Sequence, residues 1–474
     1  MLLPRLSAFT LLAHGDFSST IGTLRDAPLA VAELPHRKIY FVTDPALVST
    51  ATLGSAATLR DRQDAAASGG GIVQSCGDEW TRRRERLRVL QSRDGLEALA
   101  VPAVLDAVQA MGYPSYALLL PPAEMLPCCS RLVRHALRCI VVKTHSAPPS
   151  ADGAGDRGWP AAVAMALTSL MVPLARLCLL VQHALALATR TSFFEIAELF
   201  TNRRRKVQRL VNRWRTCVEA VLARQPLPSA TRERDARLAW LEDAVNARQK
   251  QQQDGSVHSS KLPPRDLLDA LVAPPTQLST KELVDVLSDV LTAGGDTTAA
   301  TLSTAALLLQ RQPACAAKVA AEAAAIFGDA AATDAGDRDE RSAMARAVAK
   351  PASLAYTRAV LSETTRLYPA APLLLRVALE DTRLGEAIVP KGSGLVASTR
   401  QLGRHVASWG EHADDFVPER FLPGDPLHRS SDAAKAYMAF GAGPRACIGQ
   451  QLALTVGALL LASMVHDASE EGLL

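Results

Sequence analysis

The sequence predicts a mainly α-helical protein with a small β portion, folded as one large domain over residues 1–474. Apolar residues recur at helical spacing through long stretches, such as 278–297 and 450–465. Strand-like text is confined to residues 37–42 and to an irregular region after about 376. Hydrophobic residues make up 48% of the chain, enough for a large core, and no internal repeat divides it.

The first residues, Met1 to Ala13, are apolar but short, with neither a basic lead nor the length to span a bilayer. Residues 37–49 read as a strand that ends at Asp44-Pro45, where a helix opens. A helix over 76–90 carries Trp80, Arg82, Arg83, Arg84, Arg86 and Arg88. Loops are expected at 147–158, 246–264 and 329–342, each rich in Gly, Ser, Gln or Asp, with helical text between the first two. Within that text, Trp159–Ala175 and Leu177–Thr189 are uncharged, and Pro173 favours buried helices over a membrane span. The basic run 203–215 reads as the solvated face of an amphipathic helix rather than an RNA- or membrane-binding one. A net charge of +4 is too mild to argue for a nucleic-acid partner. Eight cysteines without a paired framework fit a reducing compartment.

Ser279-Thr280-Lys281-Glu282 is a capping box that opens a helix. Leu283, Val286, Leu287, Val290, Ala293, Gly294 and Thr297 then share one face. Two adjacent glycines, Gly294 and Gly295, each cost about 1 kcal/mol against Ala in a helix interior, so they call for a reason. Close helix packing is one, with Asp296 on a wet face; a groove widened for a ligand, beside a hydroxyl and a carboxylate able to pass protons, is the other.

Glu363 and Arg366 stand one helical turn apart among apolar neighbours, which predicts a buried pair. Phe416 to Phe421 adds Arg420 further on. In Phe440-Gly441-Ala442-Gly443-Pro444-Arg445-Ala446-Cys447-Ile448-Gly449, a cysteine ends a glycine-rich loop before the uncharged helix Gln450–Val465. The glycines allow positive φ and close approach to a flat ligand. The helix dipole and free backbone N–H groups favour thiolate at Cys447. Such a cysteine is a metal or cofactor ligand, a nucleophile, or a small buried hydrophobe.

Phe440, Gly443, Arg445, Cys447 and Gly449, spaced F-x-x-G-x-R-x-C-x-G, resemble the haem-ligand loop of the cytochrome P450 family of haem-thiolate monooxygenases. Ala293-Gly294-Gly295-Asp296-Thr297-Thr298 resembles the family's oxygen-activation motif, about 150 residues before the cysteine. Glu363 and Arg366 within Glu-Thr-Thr-Arg-Leu-Tyr-Pro, with Arg420, resemble its structural triad, bracing the haem-side loop. Trp80 and Arg84 resemble its propionate-contacting helix, and Arg376 a further contact beside Arg445. The resemblance covers roughly 37–90 and 265–465.

It implies a P450-like fold, haem b (iron protoporphyrin IX) held by Cys447, and insertion of one atom of O2 into a hydrophobic substrate. Thr297 would then hydrogen-bond dioxygen and Asp296 would link the site to solvent protons. No G-x-G-x-x-G follows a strand and no flavin or Fe–S motif is present, so electrons, ultimately from NADPH, imply a separate flavoprotein reductase or ferredoxin. The arginines at 82–88 are a candidate docking patch for that donor. A haem-thiolate isomerase or peroxygenase, and a haem- or lipid-binding protein without turnover, are the rival readings; an intact Asp296-Thr297 speaks against the first. The resemblance also implies an intracellular, membrane-associated protein with peripheral membrane contact, at the endoplasmic reticulum where an anchor precedes this chain. Against the family pattern, the N-terminal lead and C-terminal strands are incomplete, 90–144 lacks a match, and Arg404-His405-Val406 replaces Arg-Asp-Pro. Ala293, Thr297 and Leu373-Leu374-Leu375 are the expected pocket positions, and they specify no more than an apolar substrate.

Overall fold

The computed structural model describes residues 5–6, 28–34, 37–53, 58–59, 72, 75, 77–111, 120–143, 228–254, 264–273, 278–327, 345, 351–426, 428 and 430–470. The expected loops at 147–158 and 329–342, the uncharged segments 159–189 and the basic run 203–215 lie outside these residues.

Strands β1 (Arg5–Leu6), β2 (Leu29–Leu34) and β3 (Arg37–Val42) lead into helix α1 (Pro45–Leu53), as the Asp44-Pro45 junction predicts. The Asp44 carboxylate accepts from the Leu47 N–H at 2.9 Å, closing the first turn. After β4 (Thr58–Leu59) come α2 (Gly77–Arg86), α3 (Arg93–Met111) and α4 (Pro122–Val141). The stretch 90–144, which carries no family signature, is thus largely two helices.

Next follow α5 (Pro228–Gln253), α6 (Leu267–Val272), α7 (Thr280–Arg311), α8 (Pro313–Phe327) and α9 (Ala355–Leu367). Helix α5 overturns part of the loop expected at 246–264. Its Gln- and Lys-rich end consists of good helix formers. Tertiary bonds hold that end: Arg248 pairs with Asp266 at 3.0 Å and with Asp269, and Gln249 accepts from the Thr280 hydroxyl at 3.1 Å.

The small β portion is completed by β5 (Leu373–Ala378), β6 (Thr382–Leu384), β7 (Ala387–Val389) and β8 (Gly394–Ser398), then α10 (Ser431–Ala436) and α11 (Gln450–Glu470). One sheet runs β1-β2-β3-β8-β5-β4, and β6-β7 is a separate hairpin. β8 joins chain ends far apart in sequence, parallel to β3 (Tyr40 opposite Leu395) and antiparallel to β5 (Arg376 opposite Leu395).

Among the described residues, a large apolar core unites α3, α4, α7, α8, α9 and α11, and smaller clusters cover the sheet and pack Trp409 against Ala433 and Ala436. Helix α11 is long and apolar enough to cross a membrane, but 72% of that stretch is buried inside the fold, so it is a core helix. The site lies where α7 and α11 meet β5.

Candidate functional site

Helix α7 starts as the sequence predicts. The Ser279 hydroxyl accepts from the Glu282 N–H at 3.3 Å, and the Glu282 carboxylate accepts from the Ser279 N–H at 2.9 Å. The helix continues unbroken to Arg311, so Gly294 and Gly295 do not end or interrupt it. Close helix packing, the first expected role of the glycine pair, is present. A Cβ at Gly294 would stand 3.2 Å from Leu137 of α4, and one at Gly295 would stand 3.7 Å from Arg134. Gly294 also lines a cavity, together with Asp289, Val290, Ala293, Thr297 and Thr301 of the same helix.

The Thr297 hydroxyl faces that cavity and donates to the Ala293 carbonyl at 2.6 Å. Asp296 points elsewhere: it pairs with Arg134 of α4 at 3.1 Å, half exposed, and does not line the cavity. Asp289, a carboxylate on the cavity wall two turns before Thr297, carries no motif and escaped the sequence reading.

Opposite α7 lies the Cys447 loop. Its turn needs glycine at two positions, Gly441 (φ +68°) and Gly443 (φ +69°), where a side chain would be strained. Gly443 shapes the turn without reaching the cavity, whereas Phe440, Arg445, Cys447 and Gly449 all line it. The Cys447 N–H donates to the Phe440 carbonyl at 2.8 Å, closing the loop on itself. The thiol opens into the cavity with protein enclosing it on the other sides. That enclosure pushes the thiol up from its ordinary value; the Gly449 N–H and the Arg84 guanidinium pull it back only in part. In the unligated protein burial, the largest of these influences, thus acts against the thiolate expected from the helix start. A cation at the sulfur would reverse the balance, since a coordinating thiol is deprotonated outright.

Arginines gather on the same cavity. Arg84, Arg376 and Arg445 all line it, with the Trp80 indole among them. Arg445 lies 4.3 Å from the Trp80 ring centre and Arg84 5.3 Å. Arg84 donates to the Ala446 carbonyl at 2.9 Å and Arg445 to the Ser75 carbonyl at 2.9 Å, which fixes both to the loop region. Burial, and after it the neighbouring Arg445 and Arg88, press the Arg84 pKa down, while Cys447 opposes them. Three guanidiniums in one partly dry place favour a ligand with paired anionic groups. The rest of the wall is mostly apolar: Leu361, Leu373, Leu374, Leu375, Ile448 and Leu452 among others, around about 460 Å³. Soft sulfur on one wall, guanidiniums beside it and apolar surface between make a donor set that fits a flat iron porphyrin with two propionates.

The triad sits behind this site. Arg366 makes a two-pronged bond to Glu363, at 2.6 and 2.7 Å, with both side chains fully buried. Glu363 also accepts from the Val417 N–H at 2.8 Å, and Arg420 approaches it at 3.6 Å. The two arginines spend their remaining N–H groups on carbonyls of 403–415, including Ala413 at 2.6 Å, Asp415 at 3.0 Å and Trp409 at 3.0 Å. The triad thus clamps 403–415 directly. It reaches the cysteine loop through α9, where the Thr365 hydroxyl meets that of Tyr437 at 2.9 Å, three residues before Phe440.

Among the arginines of α2, Arg82 and the buried Arg83 pair with Glu282 of the α7 cap, Arg83 at 3.6 Å. Just beyond α2, Arg88, 74% exposed, faces solvent beside Glu85.

Comparisons with known proteins agree with this geometry. A family described as Cytochrome P450 matches residues 201–467, more than half the chain. Cytochrome P450 52-N1 of Starmerella bombicola is 39% identical over 194 residues, 39% of this chain and 35% of that protein. Oryzalexin D synthase of Oryza sativa subsp. japonica is 36% identical over 186 residues, 39% of this chain and 34% of that protein. A cytokinin hydroxylase of Arabidopsis thaliana is 40% identical over 117 residues, 25% of this chain and 22% of that protein. The matches thus span well under half the length of each relative. Trp80 and Arg84 fall outside the matched range and join the site through folding alone. With the family match over 201–467 and its cysteine loop on the same cavity as Thr297, this chain belongs to the cytochrome P450 family.

Proposed function

We propose that this protein, as one domain, is a haem-dependent monooxygenase that inserts one atom of O2 into a hydrophobic substrate, with electrons delivered by a separate reductase. The observation that carries the reading is the sharing of one cavity by Cys447, Thr297 and the three arginines. Haem b held there would supply the oxygen-activating chemistry, with thiolate electron donation favouring O–O cleavage.

The chain's own residues do the rest. Cys447, as thiolate, would hold the haem iron. Arg84, Arg376 and Arg445 would hold the propionates, with Trp80 packed against two of these arginines. Leu373, Leu374 and Leu375 with Ala293 offer the substrate an apolar wall that excludes water. Thr297 keeps a hydroxyl at the cavity surface, bonded to the Ala293 carbonyl and able to accept a proton as it donates one. Asp296, next to it in sequence and half exposed, is the residue able to exchange protons with solvent once its bond to Arg134 opens. Peripheral contact with an intracellular membrane, and NADPH as the ultimate electron source, belong to the same proposal.

Thr297→Ala should keep the haem spectrum and lower product formed per dioxygen consumed by about a hundredfold, the scale of one positioned proton donor. Unchanged coupling would remove Thr297 from proton delivery. For the docking patch, Arg88 is the exposed candidate, because Arg82 and Arg83 are engaged within the fold. Arg86→Glu with Arg88→Glu should slow the first electron transfer severalfold and lose that effect at high salt. Unaltered reduction kinetics would rule the patch out. The reaction class is tested by turnover under isotopically labelled dioxygen with a reductase and NADPH. One labelled atom in the product is expected; oxygen drawn from peroxide, or isomerised product without label, would overturn it.

A further inference from the structure

Away from the cavity, three different donor groups converge at the seam between α3 and α4. His135 and Cys139, four residues apart, stand on one face of α4, and Asp106 meets them from α3. The His135 Nε2 lies 2.8 Å from the Asp106 Oδ2, and the Cys139 Sγ lies 3.1 Å from that same oxygen. All three donor atoms fall within 4.8 Å of one another. The helices beneath are fixed by buried neighbours, Ala103, Val104 and Ala107 on α3 and Leu132, Ala136 and Ile140 on α4. The cluster itself is reachable from solvent, with Asp106 55% and His135 33% exposed.

We infer that Asp106, His135 and Cys139 form a binding site for a divalent zinc ion, with water in the fourth position. A thiolate, an imidazole and a carboxylate together select a borderline-soft cation over calcium or magnesium, which prefer oxygen ligands. Zinc bonds of about 2.0–2.3 Å set tetrahedral ligand atoms roughly 3.4–3.7 Å apart. The present spacings of 2.8 and 3.1 Å widen to that by rotamer adjustments of well under an ångström. On binding, the Cys139 thiol loses its proton to solvent, and the proton His135 Nε2 shares with Asp106 leaves that nitrogen, so the neutral ring carries its one proton on Nδ1; both hydrogen bonds to Asp106 give way to metal bonds from sulfur, nitrogen and carboxylate. The two negative ligands neutralise the ion, against the nearby Lys143 and Arg138 cations. Bound zinc pins α3 to α4, the helix whose Leu137 and Arg134 pack against Gly294 and Asp296 of α7.

The test is equilibrium dialysis of the haem-loaded full chain against micromolar zinc, with metal analysis of the protein. One zinc per chain beyond iron is expected, lost in His135→Ala and in Cys139→Ala, whose haem spectra stay unchanged. A parallel readout survives any folding defect in those variants: zinc should protect Cys139 of the unaltered protein from alkylation, as read by mass spectrometry of its peptide. Equal zinc in the unaltered protein and in the His135→Ala, Cys139→Ala double variant, or alkylation of Cys139 indifferent to zinc, would overturn the assignment.

Discussion

Cys447→Ser should reduce oxygen insertion to background and strip the protein of its thiolate-type haem spectrum. The sulfur lines the cavity rather than filling a packed core, so exchanging it for oxygen leaves no void. Serine is a far weaker ligand, because its hydroxyl scarcely ionises near neutrality and is hard where the iron site is soft. Stability of the haem-free chain should shift by no more than about 0.5 kcal/mol, as for a substitution away from the core. Turnover assays together with urea melts of the two haem-free proteins check both halves. A variant that keeps turnover removes Cys447 from the chemistry, and one that fails to fold reassigns it to structure.

Glu363→Ala should lower the folding free energy by about 3–5 kcal/mol, the loss expected when one partner of a fully buried pair is deleted. The carboxylate joins Arg366, the Val417 N–H and Arg420, all in a dry place. Removing it leaves two buried guanidiniums without their anion. The segment 403–415 should loosen first, since both arginines hold it through backbone carbonyls. Denaturant unfolding measures the loss, and hydrogen exchange at Ala413 and Asp415 locates it. A drop under about 1 kcal/mol, the range of an exposed pair, would show that the triad carries little. Glu363→Gln should fall between, keeping the acceptor oxygen without the charge.

The sequence made the cavity wall legible wherever a residue type is unusual for its place. A cysteine closing a glycine-rich loop and paired glycines inside an apolar helix both violate local preference. The structure puts Cys447 and Gly294 on the same cavity, with Gly295 turned to Arg134. Apolar flanks likewise gave away the burial of Glu363 and Arg366. What stayed hidden depends on contacts between distant segments. Asp289 looks like any polar helix residue until the fold turns it toward the cavity. Of the two readings open for Asp296, the wet face is the one the fold realises: 100° of helix rotation separates it from Thr297, and it pairs half exposed with Arg134. The burial that pushes the Cys447 thiol up was hidden as well, because it is a property of the assembled fold. At the end of α5, a Gln-rich run that resembles a linker stays helical because Arg248 finds two aspartates outside that helix. The sheet was legible only in part: β3 and the strands near 376–398 were expected, whereas β1, β2 and β4 were missed, and its order was hidden because β8 pairs with β3 across some 350 residues of chain.

The central claim is that a thiolate at Cys447 binds the iron of a porphyrin in the cavity under α7. The most direct measurement is the absorption spectrum of the reduced, carbon-monoxide-treated protein. The account predicts a Soret band shifted to the long wavelength peculiar to thiolate-ligated haem. A band at the position of ordinary histidine-ligated haem, or no haem uptake at all, would contradict it.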